Sequence, residues 1–204
     1  MHVENPLQIS LPRAALSLAR QGRMRLLAAN AAQVVRAKWS LRKATSVGSV
    51  RLAGRTKVVN HGRMTFGDRV RLDGSTVRLE FVAWKDATLS IGSGTYINYG
   101  TNVSATQSVE IGRNCAIGQY SIIMDNDYHD TEDHQKLGAS APIVIEDDVW
   151  IGARVIVLRG SIIGRGSVIG ANSLVKGEIP PYSLAAGSPA RVVRKLPGEP
   201  DGSS

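Results

Sequence analysis

The sequence has 204 residues, enough for one domain of ordinary size or for one domain with an appendage. Its formal net charge is +8 at pH 7. Residues 1–45 carry eight basic side chains and one acid, a net of +7, whereas residues 46–204 carry 17 basic and 16 acidic side chains, a net of +1. The body is therefore nearly neutral, which argues against a protein that coats nucleic acid with a basic surface.

Cysteine content and hydropathy indicate the compartment. The single cysteine, Cys115, excludes an internal disulfide framework and fits a reducing environment. No run approaches the roughly 18–20 apolar residues of a membrane-spanning helix, and the first residues lack the pattern of a signal peptide. We therefore expect a cytoplasmic protein. An organelle transit peptide is the less favoured interpretation of the arginine-rich start.

The acid-free segment 13–43 predicts an amphipathic helix, interrupted near Gly22. Its apolar face is formed by residues at intervals of seven: Leu27, Val34 and Leu41. The opposite face is basic and contains Arg25, Arg36 and Lys43. Two interpretations stay open for this arm. It caps the body that follows, or it contacts an anionic surface such as the inner face of a membrane carrying a lipid-linked sugar, or an acidic polysaccharide.

A six-residue repeat dominates the body. Aliphatic residues recur without a break at Ile145, Ile151, Val157, Ile163, Ile169 and Val175. The same period occurs upstream at Ile91, Ile97 and Val103 and, after a shift of two, at Ile111, Ile117 and Ile123. This period fits neither an α-helix nor a long alternating strand, so it predicts short strands joined by tight turns. About seven triangular coils of roughly 18 residues fit between residues 46 and 187, with a β-sandwich as the ordinary alternative.

The repeat breaks between Ile123 and Ile145, which predicts a loop over residues 124–142 that leaves the coil. Its first half is the most acidic stretch of the body and holds two of the four histidines. A loop that adds no stacking usually carries function, and an imidazole among carboxylates suits a general base. His129, six residues after Ile123, is favoured over His134. A partly buried structural histidine is the alternative for His129.

The C-terminal motifs resemble a known family. Residues 143–195 contain VWIG at 149–152, VIGA at 168–171 and IPP at 179–181, and end on AGSPARVVR at 186–194. These motifs resemble the hexapeptide-repeat acyltransferases, most of all the branch of maltose, galactoside and exopolysaccharide O-acetyltransferases. The resemblance covers about residues 46–195 and implies a mainly β fold, a left-handed parallel β-helix. The usual handedness of parallel crossovers would by itself predict the opposite hand.

The charge distribution and the repeat divide the chain into three segments, and the resemblance implies an activity. The segments are a basic helical arm (1–45), a left-handed β-helix (46–187) with its inserted loop (124–142), and a C-terminal tail (188–204). The activity is acetyl-CoA-dependent O-acetylation of a sugar hydroxyl in surface polysaccharide or glycoconjugate biosynthesis, by direct transfer and without a metal. The resemblance further implies a homotrimer with its active sites between subunits.

Candidate site residues follow from the same resemblance. His129 is the predicted base, with Asp127, Asp125 or a backbone carbonyl holding its second ring nitrogen. Asn98, Asp125 and Trp150 are predicted to contact the acceptor, although an asparagine at residue 98 also suits a turn and a tryptophan at residue 150 also suits packing. The loop composition does not identify the acceptor.

Coenzyme A is expected along the outside of the C-terminal coils. Backbone groups near Ala153 and Ala171 match the positions that bind the pantetheine arm. Arg191 and Arg194 match the basic residues that hold the CoA phosphates, and Lys195 adds a further charge.

Three alternatives remain for the chemistry. The same base serves an amine, so N-acetylation of an amino sugar or another small amine stays open. A zinc-dependent β-helix carbonic anhydrase needs three histidines, and the four present show no such spacing. A non-catalytic scaffold would lack both the loop histidine and the C-terminal arginines. Cys115 lies where the repeat packs a small apolar residue, so we interpret it as structural rather than as an acyl carrier.

Overall fold

The computed structural model describes residues 13–198; predictions for residues 1–12 and 199–204 lie outside this range, as do the side chains of 13–23, 25, 26 and 46. The described range contains one helix, α1 (Arg13–Ser40), and nineteen strands. The strands are β1 (Ser46–Val47), β2 (Arg51–Asn60), β3 (Arg63–Phe66), β4 (Arg71–Ala83), β5 (Thr88–Ile91), β6 (Tyr96–Ile97), β7 (Asn102–Ala105), β8 (Ser108–Ile111), β9 (Ala116–Ile117), β10 (Ile122–Met124), β11 (Ile143–Ile145), β12 (Trp150–Ile151), β13 (Ile156–Val157), β14 (Ile162–Ile163), β15 (Val168–Ile169), β16 (Leu174–Val175), β17 (Glu178–Ile179), β18 (Ser183–Gly187) and β19 (Ala190–Lys195).

Parallel pairing arranges the strands as the three faces of a triangular solenoid of about seven coils. The first face is β1-β3-β5-β8-β11-β14-β17. The second face starts with the first halves of β2 and β4 and continues as β6-β9-β12-β15-β18. The third face starts with the second halves of β2 and β4 and continues as β7-β10-β13-β16. The predicted β-helix is confirmed.

The ends of the solenoid differ from its middle. Strand β4 bends around a corner and therefore belongs to both the second and the third face, pairing with β6 at Arg71 and with β7 at Glu80. The hexapeptide spacing is lost in this segment, and the sequence did not predict its long strands. At the other end, β19 turns back antiparallel onto β18. This reversal covers the edge that a further parallel coil would otherwise extend.

The predicted inward stack forms the core. All six aliphatic residues from Ile145 to Val175 are buried, and paired strands place Ile151 directly over Ile169. The residue two positions earlier in each hexad also points inward, including the serines Ser161 and Ser173. Each of these hydroxyls donates to a backbone carbonyl at 2.6 Å, which satisfies a polar group that burial would otherwise penalise.

Glycine permits the coils to approach closely at the corner after the second face. A Cβ atom on Gly118 would lie 2.5 Å from the carbonyl oxygen of Gly152 in the next coil. Carbon and oxygen do not approach so closely without contact strain, so a side chain here would push the coils apart.

Helix α1 differs from the prediction in two respects. It is continuous from Arg13 to Ser40, so the predicted interruption near Gly22 is wrong. One helical glycine costs only about 1 kcal/mol, and the surrounding alanines, leucines and arginines favour the helix. The predicted apolar face is also only partly right. Leu41 is buried just after the helix and Val34 is half-buried, but Leu27 is 60% exposed, because the exposed residues before Asn30 do not pack on the coil.

Within residues 13–198, no helix is both long enough and apolar enough to cross a membrane.

Candidate active site

The ejected loop, residues 125–142, leaves the coil at the corner between the third and first faces. Two antiparallel bridges, Asn126 with Ser140 and His129 with Leu137, fold it back on itself as a hairpin-like excursion. The tip is open to solvent, since the side chain of Leu137 is 90% exposed.

Asp125 anchors the base of this loop. Its side chain is completely buried, and its carboxylate accepts hydrogen bonds from the backbone N–H groups of Thr106, Gln107 and Ser108 at 2.7, 2.7 and 2.8 Å. The hydroxyl of Thr106 donates a further bond at 2.9 Å. A carboxylate used in this way has no free face for a substrate. The geometry therefore assigns Asp125 to holding the loop, in place of the predicted contact with an acceptor.

Asp127 also braces the loop. Its carboxylate lies 2.6 Å from Nε of Arg159, and both side chains are 39% exposed. Its backbone carbonyl accepts the N–H of His129 at 2.6 Å, but its carboxylate makes no hydrogen bond to the His129 ring among the described residues. The predicted orienting role of Asp127 is therefore replaced by an ion pair with Arg159. The sequence analysis missed Arg159. Aligning the corners of successive coils would have revealed it, because it precedes Gly160, whose N–H donates to the carbonyl of Ala141 in the loop.

His129 is held by a backbone carbonyl, the third option that the sequence left open. Its Nδ1 lies 2.8 Å from the carbonyl oxygen of His134, and its side chain is exposed. A carbonyl oxygen only accepts, so this contact requires a proton on Nδ1. In the neutral ring, Nε2 then carries the free lone pair. The imidazole is thus prepared to receive a proton from a group that approaches from solvent.

A groove of about 430 Å³ lies on the second face and its following corner. Its walls include the residues Tyr96, Asn98, Gln119, Trp150, Ala153 and Ala171. Four of these are predicted site residues, two for the acceptor and two for the pantetheine arm. Trp150 is 59% exposed, whereas Asn98 accepts the N–H of Tyr99 at 2.8 Å and donates to Gln119 at 3.3 Å. Asn98 therefore forms a turn and also lines the groove.

Two backbone amides in this groove are available to a ligand. The N–H groups of Gly152 and Arg154 bond to neighbouring coils, as do those of Gly170 and Asn172. Between them, the N–H groups of Ala153 and Ala171 have no acceptor within the described part of the chain. Because unpaired amides that line a cavity favour an amide or phosphate oxygen, they suit the predicted contact with a pantetheine arm.

The predicted phosphate-binding residues lie beyond the C-terminal end of the groove. Arg191, Arg194 and Lys195 are exposed on β19 and do not line the groove itself. Leu184 pairs with Val168, which lines the groove, and with Arg194 on its other side. The basic strand is therefore two strand spacings from the groove, about 10 Å.

The loop and the groove do not meet within one chain. No residue of the loop lines the groove. The chain passes from the second face to the third and only then enters the loop, so the loop stands at the corner opposite the second face. His129 and the groove are consequently on different sides of the solenoid.

The alternatives from the sequence can be compared with the same geometry. Burial raises the pKa of the Cys115 thiol to about 11, which disfavours the nucleophilic thiolate at neutral pH. Among residues 13–198, no three side chains of His, Cys, Asp or Glu lie together as metal ligands.

Comparison with known proteins decides the family. The profile described as bacterial transferase hexapeptide (six repeats) matches residues 142–177. The chain is 31% identical over 147 residues to an Escherichia coli protein named lipopolysaccharide biosynthesis O-acetyl transferase WbbJ, covering 67% of this chain and 74% of that protein. The chain belongs to the hexapeptide-repeat acyltransferase family.

Two further relatives are consistent with this membership. Galactoside O-acetyltransferase of E. coli is 36% identical over 112 residues, 54% of this chain and 55% of that protein, so the match spans little more than half of that relative. The hexapeptide-repeat acetyltransferase VCA0836 of Vibrio cholerae, solved with acetyl coenzyme A, is 30% identical, with 72% of each chain covered and a TM-score of 0.53. The family member described here is therefore an acetyltransferase with acetyl-CoA as its co-substrate, which sets aside the non-catalytic scaffold.

Proposed function

We propose that this acetyltransferase transfers the acetyl group to a sugar hydroxyl in surface polysaccharide or glycoconjugate biosynthesis, with His129 as the general base. The observation that carries the proposal is the hydrogen bond from His129 Nδ1 to the His134 carbonyl, because in the neutral ring it leaves the lone pair on Nε2 of an exposed side chain. The similarity to WbbJ, named for lipopolysaccharide biosynthesis, supports the class of acceptor.

In the proposed direct transfer, His129 takes the proton of the acceptor hydroxyl as its oxygen attacks the thioester carbonyl carbon. The carbon–sulfur bond then breaks, and the protonated His129 returns the proton to the departing thiolate. The His134 carbonyl stabilises the transient imidazolium by accepting a bond from its Nδ1–H. The products are an O-acetylated sugar and free CoA, and no other co-reactant is needed.

The groove supplies the other half of the proposed site. The N–H groups of Ala153 and Ala171 hold the pantetheine arm or the developing oxyanion, since both ligands offer an oxygen acceptor. Trp150 packs against the donor or the sugar. Arg191, Arg194 and Lys195 hold the CoA phosphates at the exposed end, where guanidinium groups pair with phosphate in a bidentate way.

The separation of the two halves supports a site shared between subunits, and we propose the homotrimer that the family resemblance implies. His129 stands at the corner opposite its own groove, so a complete site needs the loop of one subunit and the groove of another. Closed cyclic assemblies satisfy this requirement in every subunit at once. In the proposed trimer, each loop lies next to the second face of a neighbouring subunit.

The test of the base is His129→Ala, with His134→Ala as the matched control. The control removes an exposed histidine from the same loop but keeps the carbonyl that holds His129. We expect kcat to fall by roughly 10²–10⁴-fold in His129→Ala and to change little in His134→Ala. Release of free thiol from acetyl-CoA across a panel of sugars measures the rate, and calorimetry with acetyl-CoA measures binding, which we expect both variants to retain.

Near wild-type turnover in His129→Ala contradicts the assignment of the base. The reverse pattern, near wild-type turnover in His129→Ala and a large loss in His134→Ala, assigns the base to His134. Amino sugars and small amines belong in the same acceptor panel, because faster transfer to an amine than to any hydroxyl makes the enzyme an N-acetyltransferase.

A further inference from the structure

A second cavity, of about 440 Å³, lies between α1 and the N-terminal end of the second face. Val34 of α1 lines one wall, and the coil contributes Ser49, Arg51, Arg69 and Arg71. Three arginines therefore line a single cavity, and neither the family resemblance nor the proposed transfer chemistry gives them a role.

The backbone forces these arginines together. Arg51 and Arg71 are direct partners in the parallel pairing of β2 with β4, on the outer side of the face. Arg69 sits in the turn before β4 with a φ of 58°, and its N–H donates to the hydroxyl of Ser49 at 3.0 Å. Like charges on directly opposed residues destabilise a sheet, so the arrangement costs stability unless an anion lies between them.

Residues 13–198 do not supply that anion. Among the described residues, none of the three guanidinium groups lies within 4 Å of a carboxylate oxygen. The two nearby acids are used elsewhere: Asp68 accepts the N–H of Ser49 at 2.9 Å, and Asp73 accepts the N–H and hydroxyl of Ser75 at 3.0 and 2.6 Å. The cavity thus offers three free guanidinium groups to an external ligand.

The cavity adjoins the groove of the candidate active site. The guanidinium of Arg71 lies over the ring of Tyr96, 5.3 Å from its centroid, and Tyr96 lines the groove. Along the second face the pairing runs from Arg71 through Tyr96 and Ala116 to Trp150. Three strand spacings separate the ends of this row, about 14 Å.

We propose that the arginine cavity binds the pyrophosphate group that links the saccharide acceptor to its carrier, a nucleoside or a polyprenol. This assignment rests on the proposed transfer to a sugar, and it names the acceptor class: a sugar pyrophosphate ester. Guanidinium groups hold phosphate oxygens in bidentate pairs, and a pyrophosphate offers enough oxygens to engage all three. The sugar then extends over Tyr96 toward Asn98 and the acetyl group.

Titration with inorganic pyrophosphate tests the site directly. Saturating CoA is present throughout, so that the donor's own phosphate site is occupied. We expect one pyrophosphate site per chain in the wild type and binding at least about tenfold weaker in the double variant Arg51→Gln, Arg71→Gln, because two charge-assisted contacts are lost. Arg55→Gln is the matched control, since Arg55 is exposed on the same strand but does not line the cavity. We expect it to bind as the wild type does.

Absence of binding by the wild type at millimolar pyrophosphate overturns the proposal, and so does equal binding by the double variant and the wild type. Uridine diphosphate and farnesyl pyrophosphate then distinguish the carriers: the one that binds more tightly than pyrophosphate itself identifies the source of the group. Acetylation of an unphosphorylated sugar separates this proposal from the proposed function. A wild type that acetylates such a sugar but shows no pyrophosphate site contradicts the assignment of the cavity alone, whereas a wild type that acetylates no sugar, with or without a pyrophosphate, contradicts the function itself.

Discussion

The hydrogen bond between the His129 ring and the His134 carbonyl makes the intervening turn part of the proposed catalytic site. Within that turn, Asp130 accepts the N–H groups of Glu132 and Asp133 at 2.9 and 3.0 Å, and these bonds lower the pKa of its carboxyl. A depressed pKa means that the contribution to folding is present at neutral pH and is lost as pH falls through the folded-state value. The bonds to Asp130 therefore hold the turn in place at neutral pH.

The basic strand makes a prediction for individual side chains. We expect Arg191→Ala and Arg194→Ala to weaken binding of CoA far more than binding of pantetheine, because each removes a guanidinium that pairs only with phosphate. Calorimetric titration with CoA, dephospho-CoA and pantetheine separates contacts with the 3′-phosphate, with the pyrophosphate and with the pantetheine arm. Equal losses for all three ligands would exclude phosphate contact and would indicate a change in the groove instead. Lys176→Ala serves as the control, since Lys176 is exposed and lies off this strand.

At the scale of the element, α1 presents two unlike surfaces. Ala37 is buried against the coil, while Met24, Val35 and Trp39 are 65%, 68% and 69% exposed on the opposite side. Positions 24, 35 and 39 fall within about 60° of one another on a helical wheel, so they form a single apolar strip. The guanidinium of Arg42 stacks on Trp39 at 4.5 Å beside it. Exposed apolar residues flanked by basic ones are typical of helices that lie in a membrane interface.

We therefore propose that α1 contacts anionic lipid, the second of the two interpretations left open by the sequence, and that it does so through this strip. The double variant Val35→Ser, Trp39→Ser should bind vesicles containing phosphatidylglycerol at least about tenfold more weakly, because burial of each side chain contributes roughly 1.5–3 kcal/mol. Sedimentation with vesicles measures the bound fraction. Trp84→Ser, which removes a 49% exposed tryptophan from the coil, is the control. Failure of the wild-type protein to sediment with anionic vesicles contradicts the membrane role.

At the scale of the whole molecule, the opposed positions of loop and groove predict complementation between inactive variants. His129→Ala lacks the base, and Ala171→Trp fills the groove where the pantetheine arm is expected. Each homo-oligomer should be inactive, but mixed oligomers formed by co-expression should recover about a quarter of wild-type activity, since one site in four combines an intact loop with an intact groove. Mixed oligomers that stay inactive would mean that each chain supplies both parts of its own site.

The sequence predicted those parts of the molecule that repeat. The inward positions of the six aliphatic residues from Ile145 to Val175 were predicted correctly. Each side of a coil places the same position of its hexad in the core, so the six-residue period is visible in the sequence alone. The parts that the sequence missed depend on contacts between different coils. The ion pair of Asp127 with Arg159 joins residues 32 positions apart, and β4 turns a corner where the hexad spacing is absent. Likewise, only the pairing of β2 with β4 reveals that Arg51 and Arg71 are neighbours.

Strand β4 fixes the distance between the arginine cavity and the groove. Because β4 carries Arg71 on the second face, the distance from the arginine cavity to Trp150 is a whole number of coils, three strand spacings or about 14 Å. In such a solenoid, distances between sites on one face change in steps of one coil, about 5 Å. In the proposed binding mode, an acceptor anchored by its pyrophosphate presents only the hydroxyl that lies at the matching distance from the cavity. Deletion of one coil between the arginine cavity and Trp150 would shorten the distance between them by about 5 Å, roughly the length of one sugar ring. In the proposed binding mode, this deletion would move acetylation to a different hydroxyl.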